Sequence, residues 1–281
     1  MKFTEFLKSV ILGIVEGITE WLPVSSTGHM ILLDKFLNLE VSPEFMELFR
    51  VVIQLGAICA VPVLFWDKLY PFSKKKSIEE RKATWSLWGK VVVGVLPAAV
   101  IGLPFDDFFD EHLRGYVVVS IALIVYGVAF IVVEKLKKDK SFRVERVEDL
   151  TYSDALKIGA FQMLSLIPGT SRSGSTILGG ISCGISRTAS SEFSFFMAIP
   201  VMFGASAFKI LKFILKGYTA TGGEIALLIV GMVVSFFVSV LVIRFLMDFV
   251  KRHDFTPFGI YRIALGAIVI VYFVIKNALS A

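Results

Sequence analysis

Apolar residues along this chain form long stretches that are separated by short charged segments. Six stretches are close to the roughly 20 residues that cross a bilayer as an α-helix. They cover residues 48–66, 85–105, 115–133, 193–215, 225–247 and 258–279. The pattern predicts an all-α integral membrane protein with a single membrane domain over residues 1–281.

Two further apolar segments are unlike these spans, because each is rich in glycine, serine and threonine and is broken at a proline. They cover residues 1–40, with Pro23, and residues 152–186, with Pro168. Their polar character at the break argues against a simple crossing of the membrane.

The charged loops predict how the spans are oriented. Loops rich in lysine and arginine stay in the cytoplasm. Residues 67–84, 134–151 and 248–257 are basic and are predicted inside, whereas the acidic residues 106–114, together with 216–224, are predicted outside. The six spans alternate correctly with these loops. Each broken segment must then enter and leave by one side, as a re-entrant helical hairpin.

Composition supports a membrane protein and narrows the partners. Of the 281 residues, 56% are hydrophobic, and the mean hydropathy is +0.76, which is too apolar for a soluble domain. The net charge of +5 comes from loops that flank the membrane, so no nucleic-acid partner is predicted. Cys59 and Cys183 lie in apolar surroundings, which is typical of buried thiols rather than of a disulfide or metal pair.

The two halves of the chain resemble each other. The segment that starts at Gly13 ends seven residues before Pro23, and a similar segment that starts at Gly159 ends six residues before Pro168. An odd number of spans per unit would make the second unit inverted, and inverted repeats with broken helices place their sites near mid-membrane. We predict inverted repeats at approximately 1–133 and 152–281, joined by the cytoplasmic loop 134–151.

The first break is preceded by two acids. Glu16 and Glu20 are one turn apart and share a helix face. The free energy of placing a carboxylate inside a membrane is unfavourable, so carboxylates found there are usually functional. The pair could bind a divalent cation through hard oxygen ligands, or orient a base.

Three hydroxyls and an imidazole follow Pro23. One of Ser25, Ser26 and Thr27 is expected to cap the next helix, but one cap does not account for three hydroxyls. His29 lies one turn beyond Ser26, and the two fit a nucleophile–base pair. His29 fits equally well as the nucleophile itself, or as a general acid.

The second break, "PGTSRSGST" at residues 168–176, has the composition of an oxyanion cradle. Glycines allow backbone N–H groups to form an anion-binding nest, and the next helix directs its positive end toward it. Arg172 adds a planar fork suited to phosphate. The predicted phosphate-binding residues are Ser25, Thr27, Ser171, Arg172, Ser173, Gly174 and Thr176.

Together the two breaks predict one divided site for phosphoryl transfer from a lipid-linked phosphate. The predicted catalytic residues are Glu16, Glu20, Ser26, His29 and Arg172. A polyprenyl-phosphate transporter or flippase that uses the same cradle is the alternative. Binding alone, however, does not require Ser26 and His29 beside two acids.

The stretches "EGITEWLPVSSTGH" and "PGTSRSG" resemble the two signature motifs of the undecaprenyl-diphosphate phosphatase family, also called the bacitracin-resistance protein family. The resemblance extends over nearly the whole chain, including "SEFSFFMAIPVMFGA" and "PFGIYR". It implies hydrolysis of undecaprenyl diphosphate to the monophosphate and inorganic phosphate, which recycles the carrier lipid of peptidoglycan synthesis.

The resemblance further implies a bacterial inner-membrane protein whose site opens outward, and a divalent cation, Mg²⁺ or Ca²⁺. Glu16 and Glu20 are the candidate metal ligands. A homodimer and the identity of the nucleophile, Ser26 or His29, are left open by the sequence.

Overall fold

Helices form nearly all of the regular structure in the computed structural model, which describes residues 2–37, 39–113, 115–138 and 140–280. In chain order the α-helices of this described part are α1 (Phe3–Thr19), α2 (Ser26–Leu37), α3 (Pro43–Val52), α4 (Gln54–Ile58), α5 (Ala60–Leu64), α6 (Trp66–Leu69), α7 (Ile78–His112), α8 (Tyr116–Lys137), α9 (Tyr152–Met163), α10 (Arg172–Ser182), α11 (Arg187–Leu215), α12 (Gly222–Phe249) and α13 (Thr256–Ser280). The all-α prediction is confirmed.

Within the described ranges, six helical segments are long and apolar enough to cross a membrane, as the hydropathy pattern predicts. They are Pro43–Leu64, Ile78–Gly102, Tyr116–Lys137, Arg187–Leu215, Gly222–Phe249 and Thr256–Lys276. The first is not one continuous helix, because it consists of α3, α4 and α5 with interruptions at Ile53 and Cys59. The protein is therefore a multi-pass membrane protein.

One predicted boundary is wrong. The acidic residues after the second span were expected to form a loop over 106–114, but α7 remains helical as far as His112. The charge of a segment indicates whether water surrounds it, but it does not determine the backbone conformation. Asp and Glu can be part of a helix, so acidic residues alone do not predict a loop.

The two broken segments form two helix pairs. In the first pair, α1 and α2 are joined by a turn over residues 20–25, and in the second, α9 and α10 are joined by residues 164–171. We call these connections turn 1 and turn 2. Turn 2 begins with a short 3₁₀ helix, Leu164–Leu166.

Close glycine contacts place each pair against a span of the other half. A methyl group at Gly13 of α1 would lie 2.6 Å from the carbonyl oxygen of Gly231 in α12. A methyl group at Gly159 of α9 would likewise overlap the carbonyl oxygen of Gly94 in α7. Small residues let helix backbones approach closely in membrane proteins.

The last spans of the two halves, α8 and α13, also approach through glycines. A methyl group at Gly127 would lie 2.6 Å from the carbonyl oxygen of Gly259, and one at Gly259 would lie 2.7 Å from that of Gly127. Such reciprocal contacts are expected of two related halves. The inverted repeat and the re-entrant path of each pair through the membrane stay predictions.

The basic linker between the halves is tied to the helices around it. Arg187 at the start of α11 forms an ion pair with Glu134 at the end of α8. Arg143 forms an ion pair with Asp154 in the first turn of α9. The second helix pair is thereby anchored at the end opposite turn 2.

Candidate active site

Turn 1 and turn 2 end in the same unusual way. Ser25 has a φ of 73° and Ser171 a φ of 74°, which lies in the left-handed region that residues other than glycine seldom occupy. Ser25 Oγ accepts the N–H of Gly28 at 3.2 Å, and Ser171 Oγ accepts the N–H of Gly174 at 3.1 Å. Both α2 and α10 therefore begin with a capping serine in strained backbone, a feature that is common at functional sites.

The two helices that follow these serines begin with the reacting groups. Ser26 is the first residue of α2, and Arg172 is the first residue of α10. The N-terminus of a helix carries partial positive charge and unpaired N–H groups, so both helix ends favour an anion between them.

Glu20 connects the two breaks. Ser26 Oγ donates a hydrogen bond to Glu20 Oε2 at 2.8 Å. Arg172 Nη2 donates to Glu20 Oε1 at 3.1 Å, and Arg172 Nη1 donates to the carbonyl of Ser194 at 2.9 Å. A hydroxyl, a carboxylate and a guanidinium from both halves of the chain therefore form one continuous chain of hydrogen bonds.

A cavity of about 140 Å³ opens onto this chain of hydrogen bonds. Glu20, Ser26, Ser171 and Arg172 line it. Arg172 Nε is buried and has no hydrogen-bond partner within the described ranges. Because a buried N–H without a partner is unfavourable, this donor is suited to an oxygen atom of a bound ligand.

Several of the predicted phosphate ligands use their polar groups within the protein. Ser173 Oγ donates to the carbonyl of Glu20 at 2.9 Å, which joins turn 2 to turn 1. Thr176 Oγ1 lies 2.9 Å from the carbonyl of Arg172 and 2.7 Å from Ser194 Oγ. The N–H of Gly174 and the hydroxyl of Ser25 are used in the two caps. The side chain of Thr27 lies outside the described part.

His29 does not contact Ser26 through either ring nitrogen. Its Nδ1 lies 2.8 Å from the carbonyl of Ser25, and since a carbonyl only accepts, Nδ1 carries the hydrogen. Its Nε2 is then the acceptor from the Tyr261 hydroxyl at 2.6 Å, and the two rings are stacked. The structure brings Ser26 to Glu20 instead.

Glu16 lies one turn before Glu20 and is only 1% exposed. Its Oε1 has no hydrogen-bond partner among the described residues, and it does not line the cavity. No group of three or more His, Cys, Asp and Glu that could hold a metal is found in the described chain. An unpaired carboxylate oxygen next to a second carboxylate nevertheless has the hard-donor chemistry that Mg²⁺ and Ca²⁺ favour.

Sequence reasoning did not assign four residues that belong to this region. Gln54 and Ser165 line the cavity, Tyr261 holds His29, and Arg262 donates to backbone carbonyls of both turns. The available signal for Arg262 was its position inside an apolar span, where an ionisable residue is by default a functional candidate.

The fold and these contacts define a multi-pass membrane protein with a partly polar cavity between two broken helix pairs. The chain belongs to the family described as bacitracin resistance protein BacA, whose model matches residues 9–268. The family resemblance found in the sequence is confirmed.

Similar proteins cover almost the full chain. A relative from Enterococcus faecalis is 58% identical over 272 residues, which is 97% of this chain and 99% of the relative. One from Acetivibrio thermocellus is 57% identical over 269 residues, or 96% and 98% of the two chains. One from Streptococcus gordonii is 54% identical over 277 residues, or 98% of each chain. All three are named undecaprenyl-diphosphatase.

Proposed function

We propose that this chain hydrolyses undecaprenyl diphosphate to undecaprenyl phosphate and inorganic phosphate, and so returns the carrier lipid to peptidoglycan synthesis. The observation that carries the proposal is the hydrogen-bond chain from Ser26 through Glu20 to Arg172, at the start of two helices and beside a cavity. The names of the full-length relatives support the same substrate.

In the proposed reaction, Arg172 and the two helix N-termini bind the terminal phosphoryl group. Ser26 Oγ attacks its phosphorus atom while Glu20 accepts the hydroxyl proton. The bond between this phosphorus and the bridging oxygen breaks, and undecaprenyl phosphate leaves. Water then attacks the phosphoserine and releases a proton to solvent. The bond between phosphorus and Ser26 Oγ breaks, Glu20 returns its proton to Oγ, and inorganic phosphate is released. Charge that develops on the phosphoryl oxygens is stabilised by fixed donors.

Arg172 also couples substrate binding to the activation of Ser26. Arg172 Nη2 donates a hydrogen bond to Glu20 Oε1. A bound phosphate competes for this cationic fork, because arginine pairs strongly with phosphate oxygens. Glu20 is then released from Arg172 while it still accepts the hydrogen bond of the Ser26 hydroxyl, so it is free to take the Ser26 proton.

A divalent cation is a further part of the proposal. Glu16, through its unpaired Oε1, and Glu20 are the residues that would hold Mg²⁺ or Ca²⁺. When bound, the cation would neutralise negative charge on the diphosphate. The residues of this chain would still supply the nucleophile, the base and the guanidinium.

We also propose that the protein lies in the bacterial inner membrane, with its basic loops in the cytoplasm and its site open to the outer side. The proposal rests on the basic loops. In intact cells, a cysteine at Tyr218 should react with an impermeant thiol reagent, whereas one at Lys140 should not. The reverse labelling would contradict the orientation. A homodimer stays a prediction, tested by the mass of the solubilised protein.

The direct test of the reaction uses purified protein in detergent with undecaprenyl diphosphate, and measures phosphate release. Wild-type protein should turn over, Arg172→Ala should not, and Arg172→Lys should keep the charge but lose most activity because it lacks the fork. Normal lipid binding without phosphate release by the wild type would overturn the proposal. That outcome would favour a polyprenyl-phosphate transporter. A transporter must bind the phosphate group, but it does not require a base that removes the Ser26 proton.

A further inference from the structure

Arg262 of α13 is a fully buried cation within a membrane span, at 0% exposure. Its Nη1 donates to the carbonyl of Pro23 in turn 1 at 2.9 Å. Its Nη2 donates to the carbonyls of Gly169 and Thr170 in turn 2, at 2.8 Å and 2.9 Å. One guanidinium thus binds the backbone of both turns at once.

The partners of this guanidinium are carbonyl oxygens. A fourth contact joins Nε to the carbonyl of Leu123 at 3.4 Å, and the ring of Tyr126 lies 5.4 Å from the guanidinium carbon. Among the described residues, Arg262 forms no ion pair with a carboxylate. A buried charge without a countercharge is strongly unfavourable, so a residue that served only to fill space would be better apolar.

The bound carbonyls directly precede the reacting residues. Pro23 lies three positions before Ser26, and Thr170 lies two positions before Arg172. Fixing these carbonyls to one planar group therefore sets the separation between the start of α2, with its nucleophile, and the start of α10, with its phosphate fork. The first turn of α10 adds further ties to turn 1, from Arg172 to the carboxylate of Glu20 and from Ser173 to the carbonyls of Glu20 and Leu22.

The guanidinium also lies close behind the anion site. A methyl group at Gly174 would lie 3.0 Å from Arg262 Nη1. The N–H of Gly174, in the first turn of α10, donates a hydrogen bond to the capping oxygen Ser171 Oγ. The positive charge of Arg262 consequently adds to that of the helix N-terminus, although Arg262 does not line the cavity.

We propose that Arg262 is a positioning residue for the phosphoryl transfer. Its guanidinium group holds turn 1 and turn 2 at a fixed separation. The inference rests on the proposed function, since it assigns Arg262 to the same site. Arg262 does not touch the substrate. It acts by keeping Ser26 and Glu20 within reach of a phosphate that is held by Arg172, and a misplacement on the order of 1 Å can lower a rate about 10²-fold.

The test compares Arg262→Lys and Arg262→Met with the wild type in detergent. Lysine keeps the charge but cannot present a planar fork to carbonyls on two turns. We expect kcat to fall at least about tenfold in Arg262→Lys and about 10²-fold in Arg262→Met, with KM within about threefold because the phosphate ligands remain. The matched control is Arg187→Lys, which weakens a partly buried ion pair with Glu134 far from the turns. This control should lose thermal stability but keep its kcat.

Two results would overturn the proposal: a wild-type kcat in Arg262→Lys, or a fall in kcat that Arg187→Lys reproduces at equal loss of stability. If Arg262→Met does not accumulate as folded protein, Arg262→Lys decides alone. Amide hydrogen exchange supplies a readout that is independent of turnover. Residues 20–26 and 169–174 should exchange faster in Arg262→Lys than in the wild type. Unchanged exchange would show that Arg262 does not hold the two turns together. A wild type that releases no phosphate would overturn the proposed function. The exchange comparison would still test whether Arg262 holds the two turns together.

Discussion

The hydroxyl of Ser26, the first residue of α2, donates a hydrogen bond to Glu20 Oε2 at 2.8 Å, although Glu20 lies at the end of α1 on the other side of Pro23. Turn 1 reverses the chain between them and brings the start of α2 back against the end of α1. The acid that immediately precedes the break is therefore the partner of the serine that follows it. In the proposed reaction, this contact is the reason that Glu20 is given the role of base.

The first prediction concerns the base. Glu20→Gln keeps the shape of the side chain but removes its ability to accept a proton, so kcat for phosphate release should fall on the order of 10²-fold or more. Glu79→Gln, at an exposed position in the first turn of α7, is the control and should match the wild type. A kcat of Glu20→Gln within about threefold of wild type would show that another group takes the proton.

The second prediction identifies the nucleophile. The ring nitrogens of His29 are occupied by the Ser25 carbonyl and the Tyr261 hydroxyl, whereas the Ser26 hydroxyl faces both Glu20 and the cavity. Protein quenched in acid during turnover of a labelled diphosphate should carry an acid-stable label on Ser26, and Ser26→Ala should carry none. A label that survives only an alkaline quench, persists in Ser26→Ala and disappears in His29→Ala would assign the nucleophile to His29.

Sequence reasoning reached the membrane class, the six spans and the residues of both breaks, because those depend on local composition and spacing. It did not reach the pairing of Ser26 with Glu20. Helical spacing places His29 one turn from Ser26, whereas only the path of turn 1 shows that Glu20 is nearer. The contacts of Arg262 were likewise inaccessible, since they join residues 239 and 93 positions apart. The positive φ of Ser25 and Ser171 is a tertiary result that no propensity for serine predicts.

The third prediction tests the packing of the helix pairs. Gly13→Ala would place a methyl group 2.6 Å from the carbonyl oxygen of Gly231, so we expect a loss of about 1–3 kcal/mol in the free energy of unfolding. Gly204→Ala is the control, because no atom lies within 4 Å of the added methyl group. It should be neutral or stabilising by up to about 1 kcal/mol, since alanine favours the helix. Thermal unfolding in detergent measures both, and equal effects would argue against close contact between α1 and α12.

The fourth prediction concerns the cation. Removal of divalent ions by a chelator should lower phosphate release, and Mg²⁺ or Ca²⁺ should restore it. If Glu16 helps to hold the ion, Glu16→Gln should need a higher concentration of the cation for half-maximal rate, while its rate at saturation falls less than that of Glu20→Gln. A wild-type rate that is unaffected by a chelator, with the same result in Glu16→Gln, would exclude a role for the cation in turnover.

The close contact of Gly13 with Gly231 has a consequence for how the protein is made. The first helix pair leaves the ribosome well before its packing partner, because α12 begins roughly 200 residues after α1 ends. At roughly 5–20 residues per second, the delay is on the order of 10–40 s. During this interval the polar turn 1, with Glu20 and Ser26, must be sheltered by something other than its final neighbours. Insertion of the amino-terminal pair is therefore expected to depend on the membrane insertion machinery until synthesis of the second half is complete.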